Sequence, residues 1–268
     1  MIEQTTQQHR LFKILLIGDS CIDEYQYGKI DRISPEAPVP IFNLTTKEVK
    51  PGMAANVQGN LIALGCMISF ITGAPSKKLR LIDQRSKQHV LRIDDDVISS
   101  AITINDVGDL DMCDAVVISD YNKGLVSYEL IEQIIEKSNH GVKFPVFVDT
   151  KKTDLERLQG AWVKINSLEY SLIKSECTGL IVTMGENGAK VPHHDLHLPA
   201  PRVEVSDVCG AGDTFLAALT VGWLETNNIE HAIQFANTAA SIAVQHSGAH
   251  TLTQQDINYI YETLNYGV

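Results

Sequence analysis

Short apolar runs recur along the chain, with stretches between them long enough to form helices. A continuous apolar run of about four to eight residues is typical of a strand that is buried on both faces of a parallel sheet. The runs that predict such strands are 13–18, 115–119, 144–148, 162–165 and 180–183. Strands that alternate with helices predict a layered α/β/α domain with a mostly parallel central sheet and right-handed crossovers.

Helices are predicted where apolar positions recur three and four residues apart. The segment 53–64 has this spacing and ends at a glycine, and 128–137 is amphipathic. After residue 210 the chain is predicted to be mostly helical, with helices at 211–225, 229–246 and 253–264.

Residues 28–50 follow a different pattern from the rest of the chain. They contain three prolines, at positions 35, 38 and 40, and polar and apolar residues alternate around them. This pattern predicts a hairpin-rich excursion from the main sheet. A second pair of short strands is predicted at 79–82 and 89–93. We therefore expect one domain over 1–268 that carries a small β-sheet formed by the segments 28–50 and 78–93.

Composition narrows the class of protein. The chain has 268 residues, of which 44% are hydrophobic, so it can bury the core of one domain of this kind. Its net charge of −11 argues against a nucleic-acid partner, which would require clustered lysine and arginine. An anionic substrate must then be bound by a local group of positive charges.

Cysteine usage and hydropathy bear on location. The five cysteines are scattered and contain no Cys-x-x-Cys pair, which indicates reduced thiols. No apolar run reaches the roughly 18 residues expected of a membrane span, and the first residues are polar. We therefore expect a cytoplasmic protein without a membrane partner.

The stretch 207–215 carries the strongest chemical signal in the chain. Gly210, Ala211 and Gly212 precede an apolar helical run, and a glycine turn that opens a helix presents backbone N–H groups to an anion. Asp213 falls in the first helical turn, where a carboxylate can accept the proton of an attacking hydroxyl. A plain helix start is the alternative. No Gly-x-x-x-x-Gly-Lys-Ser/Thr run is present, which excludes a P-loop enzyme.

Residues 207–213 resemble the C-terminal signature of the PfkB, or ribokinase-like, carbohydrate kinase family. Further stretches are similar to a narrower branch, the D-glycero-beta-D-manno-heptose 7-phosphate kinases, which include the kinase half of the bifunctional ADP-heptose synthesis protein. These stretches are 32–40, 51–56, 119–124 and 149–151. The resemblance covers nearly the whole chain. It implies a ribokinase-like fold, a small β lid over the sugar, and phosphorylation of the anomeric hydroxyl of a heptose 7-phosphate.

The resemblance also implies ATP and Mg²⁺ as cofactors and assigns residues to them. Asp213 would be the general base, and the backbone N–H groups of Gly210, Ala211 and Gly212 would hold the charge of the transferred group. Asn166 and Glu169 match the motif that places hydrated Mg²⁺, with Glu169 acting on the metal through water. Their spacing also fits a capping box, and both roles can hold together. The residues assigned to the nucleotide are Thr183, Gly185, Gly188 and Asn237.

For the sugar, the resemblance assigns Asp23 after the first strand, together with Gly52 and Asn56. Three cations are candidates to bind the phosphate that the sugar already carries: Arg80, Arg92 and Lys123. For each of these cations a solvated surface position is the alternative. A homodimer formed through the lid strands is expected, because such strands leave edges that favour pairing.

Some features depart from the family pattern. The connections after residues 70 and 169 are short, and Met53 stands where the family has a glycine. These departures leave two alternatives open: a kinase of the same fold acting on another sugar or a nucleoside, or a compacted homologue that binds ligand without catalysis. Histidines 193, 194 and 197 do not have the spacing of a zinc motif, and we expect a polar hairpin tip there.

Overall fold

The computed structural model describes residues 11–140 and 144–264. In chain order its strands are β1 (Lys13–Gly18), β2 (Ser20–Ile33), β3 (Pro40–Met53), β4 (Met67–Ile71), β5 (Ser76–Asp83), β6 (His89–Asp95), β7 (Ala115–Asp120), β8 (Val146–Thr150), β9 (Trp162–Asn166), β10 (Leu180–Thr183), β11 (Ala189–Val191) and β12 (Leu196–Leu198). Its α-helices are α1 (Ala54–Ala63), α2 (Tyr128–His140), α3 (Ser167–Tyr170), α4 (Ala211–Thr226), α5 (Ile229–Ala243) and α6 (Gln254–Thr263).

The central sheet has the strand order β12-β11-β10-β9-β8-β7-β1-β4. The neighbouring strands from β10 to β4 run parallel, whereas β11 and β12 are antiparallel. The apolar strands β1, β7 and β8 lie in the interior of the sheet, because both of their faces are buried. The predicted α/β/α class with a mostly parallel sheet is confirmed.

Helices cover both faces of this sheet. Apolar side chains of α1, α4, α5 and α6 pack on one face, where Phe215 and Leu219 contribute to the core. The amphipathic helix α2 packs on the other face through Leu130, Ile131 and Ile134. Because parallel strands end at a common edge, the residues that follow β1, β7, β8, β9 and β10 are brought towards the amino end of α4.

A separate four-stranded sheet, in the order β3-β2-β5-β6, forms the lid. The segments 28–50 and 78–93 lie in it, but its long hairpin is more extensive than the sequence indicated, since β2 begins at Ser20 and β3 ends at Met53. Among the first six residues of β2 only Ile22 is exposed, so this segment lacks the alternation by which a half-exposed strand is found in a sequence.

Element boundaries differ by a few residues from those predicted. The strand expected at 144–148 occupies Val146–Thr150, and the helix expected at 229–246 ends at Ala243. The sequence pattern did not predict β11 and β12, because three residues are too few to show a period of two. Within the described residues, no helix has the length and apolar character needed to cross a membrane.

Candidate active site

The amino end of α4 forms the centre of the site. Gly210 is the N-cap residue, and Asp213 lies in the first turn with only 4% of its surface exposed. The N–H of Ala211 donates to the carbonyl of Val208 at 3.3 Å, whereas the N–H groups of Gly210 and Gly212 meet no acceptor among the described residues. Of the three predicted amides, two are thus free to bind an anion at the positive end of the helix dipole.

The carboxylate of Asp213 accepts hydrogen bonds from two side chains. The hydroxyl of Tyr121 donates to Oδ1 at 2.8 Å, and the Nδ2 of Asn56 donates to Oδ2 at 3.1 Å. Burial and, to a smaller extent, the nearby charge of Asp149 raise the pKa of Asp213, while both hydrogen bonds lower it, and the net pKa is about 6. A carboxylate with a pKa near 6 is suited to accept a proton near neutral pH.

Tyr121 was not among the predicted site residues. Its position depends on Asp19, which follows β1 and whose Oδ2 accepts the N–H groups of Tyr121 and Lys123, each at 3.0 Å. Between them Asn122 adopts a left-handed conformation, with φ of 58°. The only sequence signal was that 119–124 resembles the family branch, and this resemblance assigned no role to the tyrosine.

A cavity of about 690 Å³ opens beside the first turn of α4. Ala211 and Gly212 line this cavity, together with all four residues predicted to bind the nucleotide, Thr183, Gly185, Gly188 and Asn237. Asn237 also has a structural role, because its Nδ2 donates to the carbonyl of Leu198 at 3.0 Å and so holds the end of β12. The cavity is also lined by 200–203 and by apolar residues such as Val244, which were not predicted from the sequence.

Asn166 and Glu169 form the capping box of α3. The Oδ1 of Asn166 accepts the N–H of Glu169 at 2.9 Å, and the Oε2 of Glu169 accepts the N–H of Asn166 at 2.8 Å. The other carboxylate oxygen of Glu169 is in contact with the ammonium of Lys151. The capping interpretation is thereby confirmed, and the carboxylate lies at the carboxyl end of β9 with its side chain 16% exposed.

Within the lid, Asp23 of β2 is in contact with Gly52 of β3 and with Arg80 of β5. The guanidinium of Arg80 donates to Oδ1 of Asp23, and both side chains are more than nine-tenths buried. A Cβ on Gly52 would lie 2.1 Å from Oδ2 of Asp23, so only glycine allows the carboxylate to occupy this place. Asn56, the other predicted sugar residue, donates to the carbonyl of Gly210 at 3.3 Å and to Asp213 at 3.1 Å.

Arg92 and Lys123 belong to a group of cations around Asp96. Lys123 donates to Oδ2 of Asp96 at 2.5 Å, and this hydrogen bond lowers the pKa of Asp96, with Lys78 and Arg92 adding electrostatic attraction. Arg92 is 57% exposed and donates to Asp94 at 2.8 Å. We call Lys78, Arg92 and Lys123 the cation cluster. Lys78 was not predicted from the sequence.

The other candidate groups do not form part of this site. All five cysteines are free, and burial raises the pKa of Cys21 to about 12 and that of Cys209 to about 11, as expected for inert thiols. His193 and His194 lie between β11 and β12, at the predicted hairpin.

His246, His250 and Asp256 lie close together and could in principle hold a metal ion. The two imidazole rings stack face to face, with centroids 3.7 Å apart and planes only 6° from parallel. An imidazole nitrogen binds a metal in the plane of its ring, so two parallel rings cannot both direct a nitrogen at one ion. This arrangement therefore does not favour a metal site.

Comparison with known proteins agrees with this geometry. Residues 128–256, which include α4 and most of the cavity wall, match the family described as pfkB family carbohydrate kinase. Similar curated proteins include Bifunctional protein HldE of a Nitratiruptor species, which is 32% identical over 91% of this chain. Residues 128–256 thus belong to the pfkB family of carbohydrate kinases. Bifunctional protein HldE of Escherichia coli is 31% identical over 90% of the chain.

The chain spans just under two thirds of the length of the curated relatives that it matches: 64% of the Nitratiruptor protein and 61% of the Escherichia coli protein. Solved structures share the ribokinase-like fold of this chain. Ribokinase from Thermotoga maritima superposes with a TM-score of 0.66 at 18% identity, covering 94% of this chain and all of that one. Phosphofructokinase-2 from Escherichia coli superposes with a TM-score of 0.70 at 17% identity, covering 96% and 100%. The family match and these neighbours indicate a sugar kinase.

Proposed function

We propose that this chain transfers the γ-phosphoryl group of ATP to the anomeric hydroxyl of D-glycero-beta-D-manno-heptose 7-phosphate, giving the 1,7-bisphosphate. The kinase reaction is supported by the arrangement around α4, and the choice of acceptor by the similarity to proteins named HldE and by the cation cluster. The observation that carries the proposal is the buried carboxylate of Asp213, held by two side chains beside free helix amides and an open cavity.

In the proposed reaction Asp213 accepts the proton of the sugar hydroxyl as the oxygen attacks the γ-phosphorus. A new O–P bond forms, the bond from the γ-phosphorus to the bridging oxygen breaks, and ADP leaves with that electron pair. The N–H groups of Gly210 and Gly212 would stabilise the charge on the transferring group, because they have no acceptor among the described residues and lie at the positive end of the helix dipole. Tyr121 and Asn56 hold the carboxylate in position.

The residues around Glu169 fit a hydrated magnesium ion. Each carboxylate oxygen accepts one bond from the protein, Oε2 from the N–H of Asn166 and Oε1 from Lys151, and keeps a lone pair for a water. A carboxylate and an amide that act through water suit Mg²⁺, which keeps several of its waters. Asn166 and Glu169 would hold the ion, which supplies positive charge to the phosphates of ATP.

For the acceptor, we assign Asp23 to the sugar hydroxyls and the cation cluster to the existing phosphate. Asp23 keeps acceptor capacity on Oδ2, for which the described residues offer only the weak donor Cys21, at 3.7 Å. In the paired strands β5 and β6, Arg92 lies opposite Arg80, so Lys78 and Arg92 share one face of the lid with the Asp23–Arg80 pair. Arg92 and Lys123 are paired with aspartates, whereas Lys78 has no ion pair among the described residues. Its charge on this face supports a phosphorylated acceptor in a protein of net charge −11.

The opposite face of the lid supports the proposed homodimer. Ile22, Val49, Leu91 and Ile93 are all exposed, and the register of β2, β3, β5 and β6 places them on one face. Exposed apolar side chains on an open sheet favour association, although the ion pairs of Glu24 with Lys47 and Lys77 lie on the same face. Sedimentation that shows only monomers at micromolar concentration would remove this part of the proposal. We also propose a cytoplasmic location, which the free cysteines support.

The experiment that tests the function is a coupled assay of ADP release. The purified chain is given ATP, Mg²⁺ and a panel of acceptors that contains heptose 7-phosphate, other sugar phosphates, free sugars and nucleosides. We expect turnover that requires the acceptor and is fastest with heptose 7-phosphate. Turnover with a different acceptor would correct the substrate, and ADP release that no acceptor stimulates would contradict the kinase proposal.

A further inference from the structure

A lysine occupies the middle of the buried strand β9. Lys164 is only 4% exposed, and in the sheet it lies between Asp149 of β8 and Ile181 of β10. Its ammonium donates to Oδ2 of Asp149 at 2.8 Å. Lys164 faces the side of the sheet that carries α4, where its strand neighbour Ile181 belongs to the apolar core. A buried charge lowers the stability of the fold unless it is paired and all of its hydrogen-bonding groups have partners.

The ammonium of Lys164 lies directly against the first turn of α4. A Cβ added to Gly212 would lie 2.7 Å from Nζ, so no other residue fits at position 212 unless the lysine moves. The amino end of a helix already carries partial positive charge, and an ammonium there is unfavourable on its own. The arrangement becomes favourable when an anion binds between the helix amides and the lysine.

Lys164 and Asp149 both have hydrogen-bonding groups that their ion pair does not use. Oδ1 of Asp149 is buried, and within the described residues it accepts no hydrogen bond. Lys164 has three N–H donors, and Asp149 is the only acceptor that the described residues offer them. Buried polar groups are nearly always hydrogen-bonded in folded proteins, so the unused N–H donors of Lys164 point to a ligand that accepts hydrogen bonds.

A neighbouring buried pair shows what a structural role looks like. Lys152 donates to Asp120 at 2.9 Å and also to the carbonyl of Val126 at 2.9 Å. Asp120 in turn accepts the hydroxyl of Thr150 at 2.6 Å and the N–H of Asn122 at 2.9 Å. Each carboxylate oxygen of Asp120 therefore has a partner inside the protein, which distinguishes this pair from Lys164 and Asp149.

We propose that Lys164 is a further catalytic residue, whose ammonium donates a hydrogen bond to a non-bridging oxygen of the γ-phosphoryl group during transfer, while Asp149 orients it. This inference rests on the proposed kinase function. In phosphoryl transfer, charge spreads over the three equatorial oxygens, and the free amides of Gly210 and Gly212 offer only partial charges to it. Lys164 adds a full positive charge beside them, and because its side chain is buried this charge is only weakly screened by water.

The test uses Lys164→Met, the double variant Lys164→Met with Asp149→Asn, and Lys152→Met as the matched control. The double variant leaves no unpaired charge in the core, so it keeps the test valid if the single variant does not fold. Two quantities are measured: kcat from ADP release, and the affinity for the ATP analogue AMP-PNP relative to ADP by calorimetry. Thermal unfolding shows that each variant is folded.

We expect kcat to fall about 100-fold in the single and in the double variant, since loss of one donor to a transition-state oxygen has about this effect. The preference for AMP-PNP over ADP should fall about tenfold in both, because a charged hydrogen bond to the γ-phosphate is lost. Lys152→Met should keep the wild-type preference. If the double variant recovers wild-type kcat and preference, Lys164 only neutralises Asp149 and the inference is wrong. A wild-type chain without kinase turnover contradicts the proposed function instead, and its AMP-PNP preference still reports on Lys164.

Discussion

The hydroxyl of Tyr121 donates to Oδ1 of Asp213 at 2.8 Å, and this bond joins the end of β7 to the first turn of α4. Tyr121 itself is positioned by the carboxylate of Asp19, which accepts its N–H at 3.0 Å. Three segments far apart in the chain thus fix one carboxylate oxygen. The bond stabilises the charged form of Asp213 and lowers its pKa against the stronger opposite effect of burial.

Replacing Tyr121 with phenylalanine should therefore shift the pH dependence of the reaction. Without the hydrogen bond the pKa of Asp213 rises above its value of about 6. The base works in its deprotonated form, so the acidic limb of the kcat profile should move to higher pH, and Tyr121→Phe should lose more activity at pH 6 than at pH 8. Tyr261→Phe, whose hydroxyl donates to Glu225 in the helical layer, is the control. An acidic limb that stays in place would show that Tyr121 does not influence the base.

Substitution of Asp213 by asparagine tests the base itself. Asparagine has the same size and can still accept a hydrogen bond from Tyr121, but it cannot take a proton from the sugar. We expect kcat to fall by about 100- to 10,000-fold while ATP binding, measured by calorimetry, stays within a few-fold of wild type. Near-normal turnover in Asp213→Asn would contradict the assignment.

The parts of the fold that could be predicted from the sequence are those with a strong local signal. The apolar runs of β1, β7 and β9 and the helical spacing of α4 identified the layered α/β class, because burial on a sheet face imposes these patterns. The short strands β11 and β12 and the first part of β2 carry no such pattern. Their positions depend on pairing with distant strands.

The residues of the site also divide into those that a local sequence pattern predicted and those that it did not. Asp213 and the glycines before it were found because a glycine turn, an acid and a helix are adjacent in the chain. Tyr121, Lys78 and Lys164 were missed, since each acquires its role only from a partner far along the chain. Lys164 lies 48 residues before Gly212 in sequence, yet its ammonium lies against that glycine in space.

Two adjacent lysines on β5 allow a direct test of the cation cluster. Lys78 lies on the face of the lid that carries Asp23, whereas Lys77 points to the other face and pairs with Glu24 at 2.8 Å. We expect Lys78→Met to raise KM for the sugar phosphate about tenfold, because one charged contact with the phosphate is lost. The KM for the corresponding free sugar should not change.

Lys77→Met serves as the control for this comparison. It removes a positive charge one residue away, so it changes the net charge of the protein equally. Its KM for the sugar phosphate should stay within about twofold of wild type, because surface ion pairs contribute little. An equal rise of KM in both variants would mean that the effect comes from the overall field rather than from the cluster.

Met53 has a backbone conformation that usually requires glycine. Its φ is 56° and its ψ is −135°, and it is the N-cap residue of α1, directly after Gly52. A side chain in this region is strained, by about 1–3 kcal/mol, and the surrounding structure must stabilise it. The methionine is 4% exposed, so its side chain contributes to the core while its backbone is strained.

This conflict predicts an inverted order of stability at position 53. Glycine in place of alanine normally destabilises a strand or helix by about 0.5–1 kcal/mol. At position 53 glycine relieves the strain, which the Cβ of alanine retains, so Met53→Gly should be more stable than Met53→Ala by about 1 kcal/mol in urea unfolding. Met67 on β4, which has no positive φ, provides the control, and its alanine variant should be the more stable one. The usual order at both positions would show that Met53 is not strained.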